Sequence, residues 1–122
     1  YMIGGMKTEA GTDRVIPIAD KILPLVKNRY DANRRFLVNN KYGNHYTYGS
    51  YVSANFNTVM NKLNMKHLPH DGRHTFASLM DDAGANEVCI KLIMGHSMRN
   101  NVTKGVYTHK TTQQLIDEVN KI

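Results

Sequence analysis

Four segments with helical apolar spacing follow one another from about residue 50 to the end of the sequence. They cover about residues 50–64, Pro69 to Gly84, Asn86 to Gly95, and Thr111 to Ile122. Apolar side chains recurring every three or four residues place one side of each helix against a core. Glycine after the second and third segments, and a Thr-x-x-Gln capping box opening the fourth, are typical helix boundaries. These signals predict a mainly helical protein.

The first half contributes the remaining elements. Residues 1–18 carry apolar ends around a polar middle and predict a β-hairpin, with Lys7 near its turn. Asp20 is expected to cap a helix, Phe36–Val38 to form a short buried segment, and the Asn-, Gly- and Tyr-rich residues 39–49 to form a loop. The predicted fold is therefore mainly α with a small β-hairpin, in one domain spanning residues 1–122.

Composition narrows the class of protein. Sixteen Lys and Arg against ten Asp and Glu give a formal charge of +6, which favours polyanionic partners. Cys89 is the only cysteine, which excludes an internal disulfide or a multi-cysteine zinc site, and its apolar surroundings predict a buried thiol. With no apolar run of about 20 residues, we expect a soluble, cytoplasmic protein without membrane contact. The start at Tyr1, without an initiator Met, is expected for a piece of a longer chain.

Polar residues capable of chemistry gather at the predicted element boundaries. Lys7 lies at the hairpin turn, His70 and Arg73 at a helix start, His96 just after a helix end, and Tyr107 before the last helix. Boundary loops commonly carry catalytic groups. His70 and Arg73 are about 60° apart around a helix axis, so both could contact one phosphate together with the free backbone N–H groups of the helix start.

Three motifs in this order resemble those of the tyrosine recombinases, or phage integrases. Pro69–Ser78 resembles the His-x-x-Arg box, Leu92–Ser97 the Gly-His box, and Val106–His109 the nucleophile segment. Gly5–Ile18 resembles the hairpin whose lysine is catalytic in the family, which assigns that role to Lys7. The resemblance implies the integrase-like catalytic core of the DNA breaking-rejoining enzymes, in part, from a bacterium or phage.

The resemblance also implies a mechanism, site-specific DNA recombination without metal or other cofactor. Tyr107 attacks a phosphodiester of double-stranded DNA and forms a 3′-phosphotyrosyl link. Arg73 and His96 bind the non-bridging oxygens, His70 accepts the tyrosine proton, and Lys7 protonates the leaving 5′-oxygen. Proteins of this family act as DNA-bound tetramers, so a homotetramer on DNA is expected.

The sequence departs from the family pattern at two points. The family's first catalytic arginine lies upstream of the hairpin, and no residue before Lys7 matches it. Many members place the tyrosine nine positions after the Gly-His histidine, whereas Tyr107 follows His96 by eleven. The isolated sequence is therefore expected to be inactive, and the extra residues fall between the histidine and the tyrosine.

Other interpretations stay open for the same residues. Lys7 could be a solvated turn residue, His70 and Arg73 could pair with solvent or Asp71, and His96 could act only at a helix end. Tyr107 could be a packing residue. The protein would then be a non-catalytic DNA-binding module. A topoisomerase using the same tyrosine to relax supercoils is a second alternative.

Two further interpretations concern a metal and the last helix. His70 and His74, four residues apart, have the spacing of metal ligands and could be joined by His67, but a zinc hydrolase motif would need Glu at position 71. His74 is otherwise expected to be structural. Residues 111–122 are apolar on one side after a polar lead-in, and we expect this helix to pack poorly on its own domain and to extend or swap onto a neighbouring protomer.

Overall fold

The computed structural model describes residues 1–5, 11–96 and 110–122. The chain divides into two compact units. The first unit comprises Tyr1–Leu23 and Thr75–Ile122, and the second unit is Pro24–His74. Within the described ranges, no helix is long and apolar enough to cross a membrane.

The first unit begins with the predicted hairpin. Strands β1 (Met2–Gly4) and β2 (Arg14–Ile16) pair antiparallel, with Ile3 opposite Val15. The antiparallel pairing of these two strands confirms the expected hairpin. The turn position assigned to Lys7 lies outside the described residues.

Three helices complete the first unit. They are α4 (Asp71–Asp82), whose first turn belongs to the second unit, α5 (Glu87–Met94) and α6 (Thr112–Val119). Gly84 and Gly95 adopt left-handed backbone angles just after α4 and α5, as the sequence predicts for helix ends.

The start signals of α5 and α6 are also confirmed. The side chain of Asn86 accepts hydrogen bonds from the Val88 and Cys89 N–H groups at the start of α5. Thr111 and Gln114 form the predicted capping box of α6. Each of these signals acts within a few residues, which is why the sequence alone reveals it.

A single apolar core holds the first unit together. Its largest fully buried side chains are Met80 and Cys89, and it also contains Ala19, Ile93, Leu115 and Val119. Burial raises the pKa of the Cys89 thiol, because the apolar surroundings disfavour the thiolate. The expectation of a buried cysteine is confirmed.

Helix α6 is an integral part of this core. Leu115 and Val119 are buried, and the Asn120 amide exchanges hydrogen bonds with Asp20, accepting from its N–H at 2.7 Å and donating to its carboxylate at 3.1 Å. The expectation that residues 111–122 pack poorly on their own domain is therefore wrong. The apolar side of the helix finds its partners within the same chain.

The second unit contains the helix α1 (Leu23–Arg29), which begins one residue before the unit boundary, and one longer helical stretch. That stretch consists of α2 (Tyr48–Tyr51), a π-helical turn (Val52–Phe56) and α3 (Asn57–Lys62). The predicted helix of residues 50–64 is confirmed in position, but the π-helical turn was not foreseen. About half of the described residues are helical, and the fold is mainly α with one small antiparallel sheet, as predicted.

None of residues 24–74 is buried. Phe36 and Val38 are 37% and 46% exposed, so the expectation of a buried segment at Phe36–Val38 is wrong. Phe36 instead contacts the ring of His45 edge-on, and the guanidinium of Arg35 lies 5.6 Å from its centroid. A short run of apolar residues is not enough for burial, because burial also requires another element to pack over the run.

Candidate active site

His70 and Arg73 lie at the start of α4, as the sequence predicts. His70 immediately precedes the helix, and its carbonyl accepts a hydrogen bond from the Arg73 N–H at 3.0 Å. His70 is exposed and Arg73 is half-buried. The structure therefore places His70 and Arg73 within one helical turn of each other at the start of α4.

Asp71 fixes the turn that carries His70. The Asp71 carboxylate accepts a hydrogen bond from the Leu68 N–H at 3.0 Å, while the Asp71 N–H donates to the Leu68 carbonyl at 3.0 Å. The first of these bonds lowers the pKa of Asp71, because it stabilises the ionised carboxylate. His67 adds a contact to the same carboxylate, with 3.3 Å between Nδ1 and Oδ2. Asp71 thus stabilises the turn that precedes α4 and contains His70.

The backbone at this helix start differs from the expectation of free N–H groups. The Asp71 N–H donates to Leu68, and the Arg73 and His74 N–H groups both donate to the His70 carbonyl, at 3.0 and 3.4 Å. Local hydrogen bonds of this kind satisfy donors that a regular helix start leaves open. Three of the backbone N–H groups at this helix start therefore already have acceptors.

The neighbouring histidines have structural contacts. The His70 and His74 rings meet edge-on with centroids 4.9 Å apart, and His67 contacts Asp71. Across residues 1–5, 11–96 and 110–122, no group of three or more His, Cys, Asp or Glu side chains is arranged to hold a metal ion.

His96 lies in a tightly defined turn at the end of α5. The Gly95 N–H donates to the Leu92 carbonyl at 3.1 Å, and the His96 N–H donates to the Lys91 carbonyl at 3.0 Å. Together with the left-handed Gly95, this pair of bonds is a Schellman motif. His96 is an exposed residue, and these hydrogen bonds hold its backbone at the end of α5.

Arg14 contributes to this turn, and sequence reasoning missed it. Its Nε donates to the Ile93 carbonyl at 2.8 Å and its Nη1 donates to the Gly11 carbonyl at 3.2 Å. The signal available in the sequence was a single arginine within an otherwise apolar strand. Its partner lies 79 positions away, which no local pattern reveals.

The five predicted site residues fall into three groups. Lys7 and Tyr107 lie outside the described residues. His70 and Arg73 belong to the second unit, and His96 belongs to the first. The structure therefore brings together two of the five predicted residues, His70 and Arg73, and defines the backbone of a third.

Charge is divided unequally between the two units. The second unit contains eight Lys and Arg and two Asp, a formal +6, whereas the rest of the chain contains eight basic and eight acidic residues. The whole net charge of the chain thus belongs to residues 24–74. A concentration of exposed cations of this kind attracts polyanions such as nucleic acids.

The chain is similar to two tyrosine recombinases and to one transposase. The chain is 27% identical to a tyrosine recombinase of Thermosipho africanus over 90% of this chain and 39% of the relative. It is also 27% identical to the tyrosine recombinase XerC of Chlorobaculum tepidum, over 88% of this chain and 36% of the relative. A third relative, the transposase from transposon Tn916 of Enterococcus faecalis, is 27% identical over 100% of this chain and 34% of the relative.

These relatives are much longer than the matched region, so the chain spans less than two fifths of their length. No solved structure matches the chain significantly. The sequence profile of the phage integrase family matches residues 2–114, a span that contains the hairpin, the start of α4, the His96 turn and Tyr107. The chain therefore belongs to the phage integrase family.

Proposed function

We propose that the full-length protein carries out site-specific DNA recombination through a covalent protein–DNA intermediate. The observation that carries this proposal is the family match over residues 2–114, supported by the names of its relatives, which are recombinases and a transposase. The placement of His70 and Arg73 within one turn of the same helix start supports the proposal, because an imidazole and a guanidinium at this spacing could contact one phosphate.

In the proposed reaction, the phenolic oxygen of Tyr107 attacks the phosphorus of a DNA phosphodiester. A bond forms between that oxygen and phosphorus, the bond from phosphorus to the 5′-oxygen breaks, and a 3′-phosphotyrosyl link and a free 5′-hydroxyl result. The 5′-hydroxyl of another strand then reverses the step and releases Tyr107. The covalent link conserves the energy of the phosphodiester, so the proposed chemistry uses neither a metal nor a nucleotide cofactor.

Each of the remaining predicted residues has a role in this scheme. Arg73 donates to the non-bridging oxygens, where negative charge accumulates in the transition state and a guanidinium can bind two oxygens at once. His96 donates to the same phosphate. His70 accepts the proton of the tyrosine, and Lys7 supplies a proton to the leaving 5′-oxygen.

The partner in this scheme is double-stranded DNA. The +6 charge of the second unit, on residues that are exposed or only half-buried, is the feature of the chain that favours this partner. Exchange of two DNA strands requires more than one nucleophile, and we propose that the full-length protein acts as a homotetramer on DNA.

The direct test traps the intermediate. The full-length protein is incubated with a nicked DNA substrate from which the short 5′-hydroxyl strand diffuses away after cleavage, and the linked residue is mapped by mass spectrometry. A DNA adduct on Tyr107 supports the proposal. Tight DNA binding without any adduct would instead indicate a non-catalytic DNA-binding module.

A second assay separates recombination from relaxation of supercoils. Two DNA molecules with different labels are supplied with a site that forms the adduct, and recombinant products are measured beside the loss of supercoiling. Exchange of labels supports recombination. Relaxation without exchange would identify topoisomerase-like activity with the same tyrosine.

A further inference from the structure

The proposed reaction assigns no role to the contact between Arg14 and the end of α5. We define the Arg14 junction as Arg14, Gly11, Ile93 and Gly95. The Arg14 Nε–H donates to the Ile93 carbonyl at 2.8 Å, and Nη1 donates to the Gly11 carbonyl at 3.2 Å. The Arg14 guanidinium therefore connects the segment just before β2, through Gly11, to the last turn of α5, through Ile93.

The junction is packed too closely to be an incidental surface contact. A β-carbon added to Gly95 would lie 3.0 Å from the Gly11 Cα and 3.1 Å from the Arg14 Cδ. Gly11 is buried, and Gly95 has a φ of +67°, which side chains larger than glycine adopt only with strain. Glycine at position 95 is thus required both by the turn and by the approach of the hairpin.

The hydrogen bonds of the junction complement those of the Schellman motif. That motif satisfies the carbonyls of Lys91 and Leu92 with the His96 and Gly95 N–H groups. The Ile93 carbonyl comes next along the chain, and Arg14 satisfies it. A cation at this end of the helix also interacts favourably with the helix dipole. Three successive carbonyls before His96, those of residues 91–93, therefore each accept a hydrogen bond that fixes this part of the backbone.

We infer that Arg14 is a positioning residue that acts on DNA cleavage through His96, by fixing the turn that carries His96. This inference rests on the proposed function, because it takes His96 to contact the scissile phosphate. Nε and Nη1 of Arg14 already have protein acceptors and the contact to Ile93 is partly buried, so Arg14 is assigned to the protein scaffold and not to the phosphate.

A double-mutant cycle on the full-length protein tests the inference. The variants are Arg14→Gln, His96→Ala and the combination, and the readouts are the rate of adduct formation at saturating DNA and the DNA concentration that gives half that rate. Arg14→Gln should lower the saturating rate by about tenfold to a hundredfold, the range expected when a reacting group is displaced by a fraction of an ångström to one ångström. The half-saturating concentration should change little.

The double variant distinguishes a positioning role of Arg14 from a general structural role. If Arg14 acts through His96, Arg14→Gln should slow the His96→Ala protein by less than about threefold, because the contribution it supports is already gone. Equal slowing in both backgrounds would overturn the inference. Absence of any adduct in the parent protein would instead overturn the proposed function, so the two failures are distinguishable.

Lys121→Gln is the matched control. Lys121 also donates from a basic side chain to a backbone carbonyl just after a helix of the first unit, that of Gly84 at 3.3 Å. This variant should lose comparable stability, measured as the thermal unfolding midpoint, and keep the parental cleavage rate. If Arg14→Gln does not accumulate as folded protein, Arg14→Lys keeps the charge and one donor nitrogen and enters the same cycle with the same expected outcomes.

Discussion

The two units of the chain differ in both burial and charge. The first unit contains every buried residue that the structure describes and has a net charge of zero, whereas the second unit has no buried residue and carries the full +6. Burial of apolar area supplies folding free energy, while exposed cations supply attraction for polyanions. Removal of a core side chain should therefore cost more stability in the first unit, whereas removal of an exposed cation should weaken DNA binding more in the second unit.

The largest expected difference is in stability. Met80→Ala removes a fully buried side chain from the first unit and should cost about 2–5 kcal/mol of unfolding free energy. Leu63→Ala removes a side chain that is 59% exposed in the second unit and should cost no more than about 0.5 kcal/mol. Denaturant titration of the full-length variants measures both. Similar losses would contradict the contrast in burial.

Arg73 provides the next largest effect, on catalysis. Arg73→Gln should slow adduct formation by about a hundredfold to a thousandfold, the usual cost of losing one donor to a transition-state oxyanion. Arg35→Gln removes the same charge from an exposed position of the same unit and should leave the saturating rate unchanged. Equal rate losses in both variants would show that Arg73 acts only through charge.

Glu118 tests how the first unit holds its helices. Its carboxylate accepts hydrogen bonds from the Lys121 ammonium, at 2.8 Å, and from the Asn86 N–H, at 2.8 Å. These interactions lower the pKa of Glu118 below its ordinary value of 4.5, with the Lys121 contact the larger cause. A carboxylate whose pKa is lower in the folded state stabilises that state. This stabilisation is complete at pH values above the unfolded-state pKa, and it is lost as the pH falls through the folded-state pKa.

Glu118→Gln should therefore cost about 1 kcal/mol at pH 7. The difference from the parent should shrink as the pH falls below 4.5. Asp117→Asn, an exposed position on the same helix, should change stability by less than about 0.5 kcal/mol. Unfolding curves recorded across this pH range test both statements. A Glu118→Gln difference that does not vary with pH would contradict the assigned role of the carboxylate.

The smallest effect concerns DNA affinity. Lys41 is exposed in the second unit and Lys21 is exposed in the first, so Lys41→Gln and Lys21→Gln change the net charge equally. Lys41→Gln should reduce the slope of log affinity against log salt concentration by about 1, as for one lost phosphate contact. Lys21→Gln should leave the slope unchanged. Equal changes would mean that the charge division between the units does not determine where DNA binds.

Local signals explain how much of the structure the sequence predicts. The Asn86 cap, the left-handed Gly95 and the Thr111 capping box each depend on residues within one turn, so their side-chain types are sufficient. The His-x-x-Arg spacing places His70 and Arg73 at one helix start for the same reason. Most of the helical fold follows from such patterns.

Interactions between distant residues explain the rest. Arg14 bonds a carbonyl 79 positions away, and α6 docks through Asn120 to Asp20, 100 positions away. Neither partner can be identified from spacing along the chain. The exposure of Phe36 could not be predicted for a similar reason. Burial of a segment depends on which other elements pack over it, and its own sequence does not determine this.

The central claim is that Tyr107 is the nucleophile, and Tyr107→Phe tests it most directly. The substitution removes only the phenolic oxygen and keeps the ring, so a packing role alone would cost about 0.5–1.5 kcal/mol of stability and leave the chemistry intact. With the trapping substrate, the full-length Tyr107→Phe protein should bind DNA with parental affinity and form no covalent adduct. An adduct that persists in this variant, or a parental adduct that maps to a different tyrosine, would contradict the account.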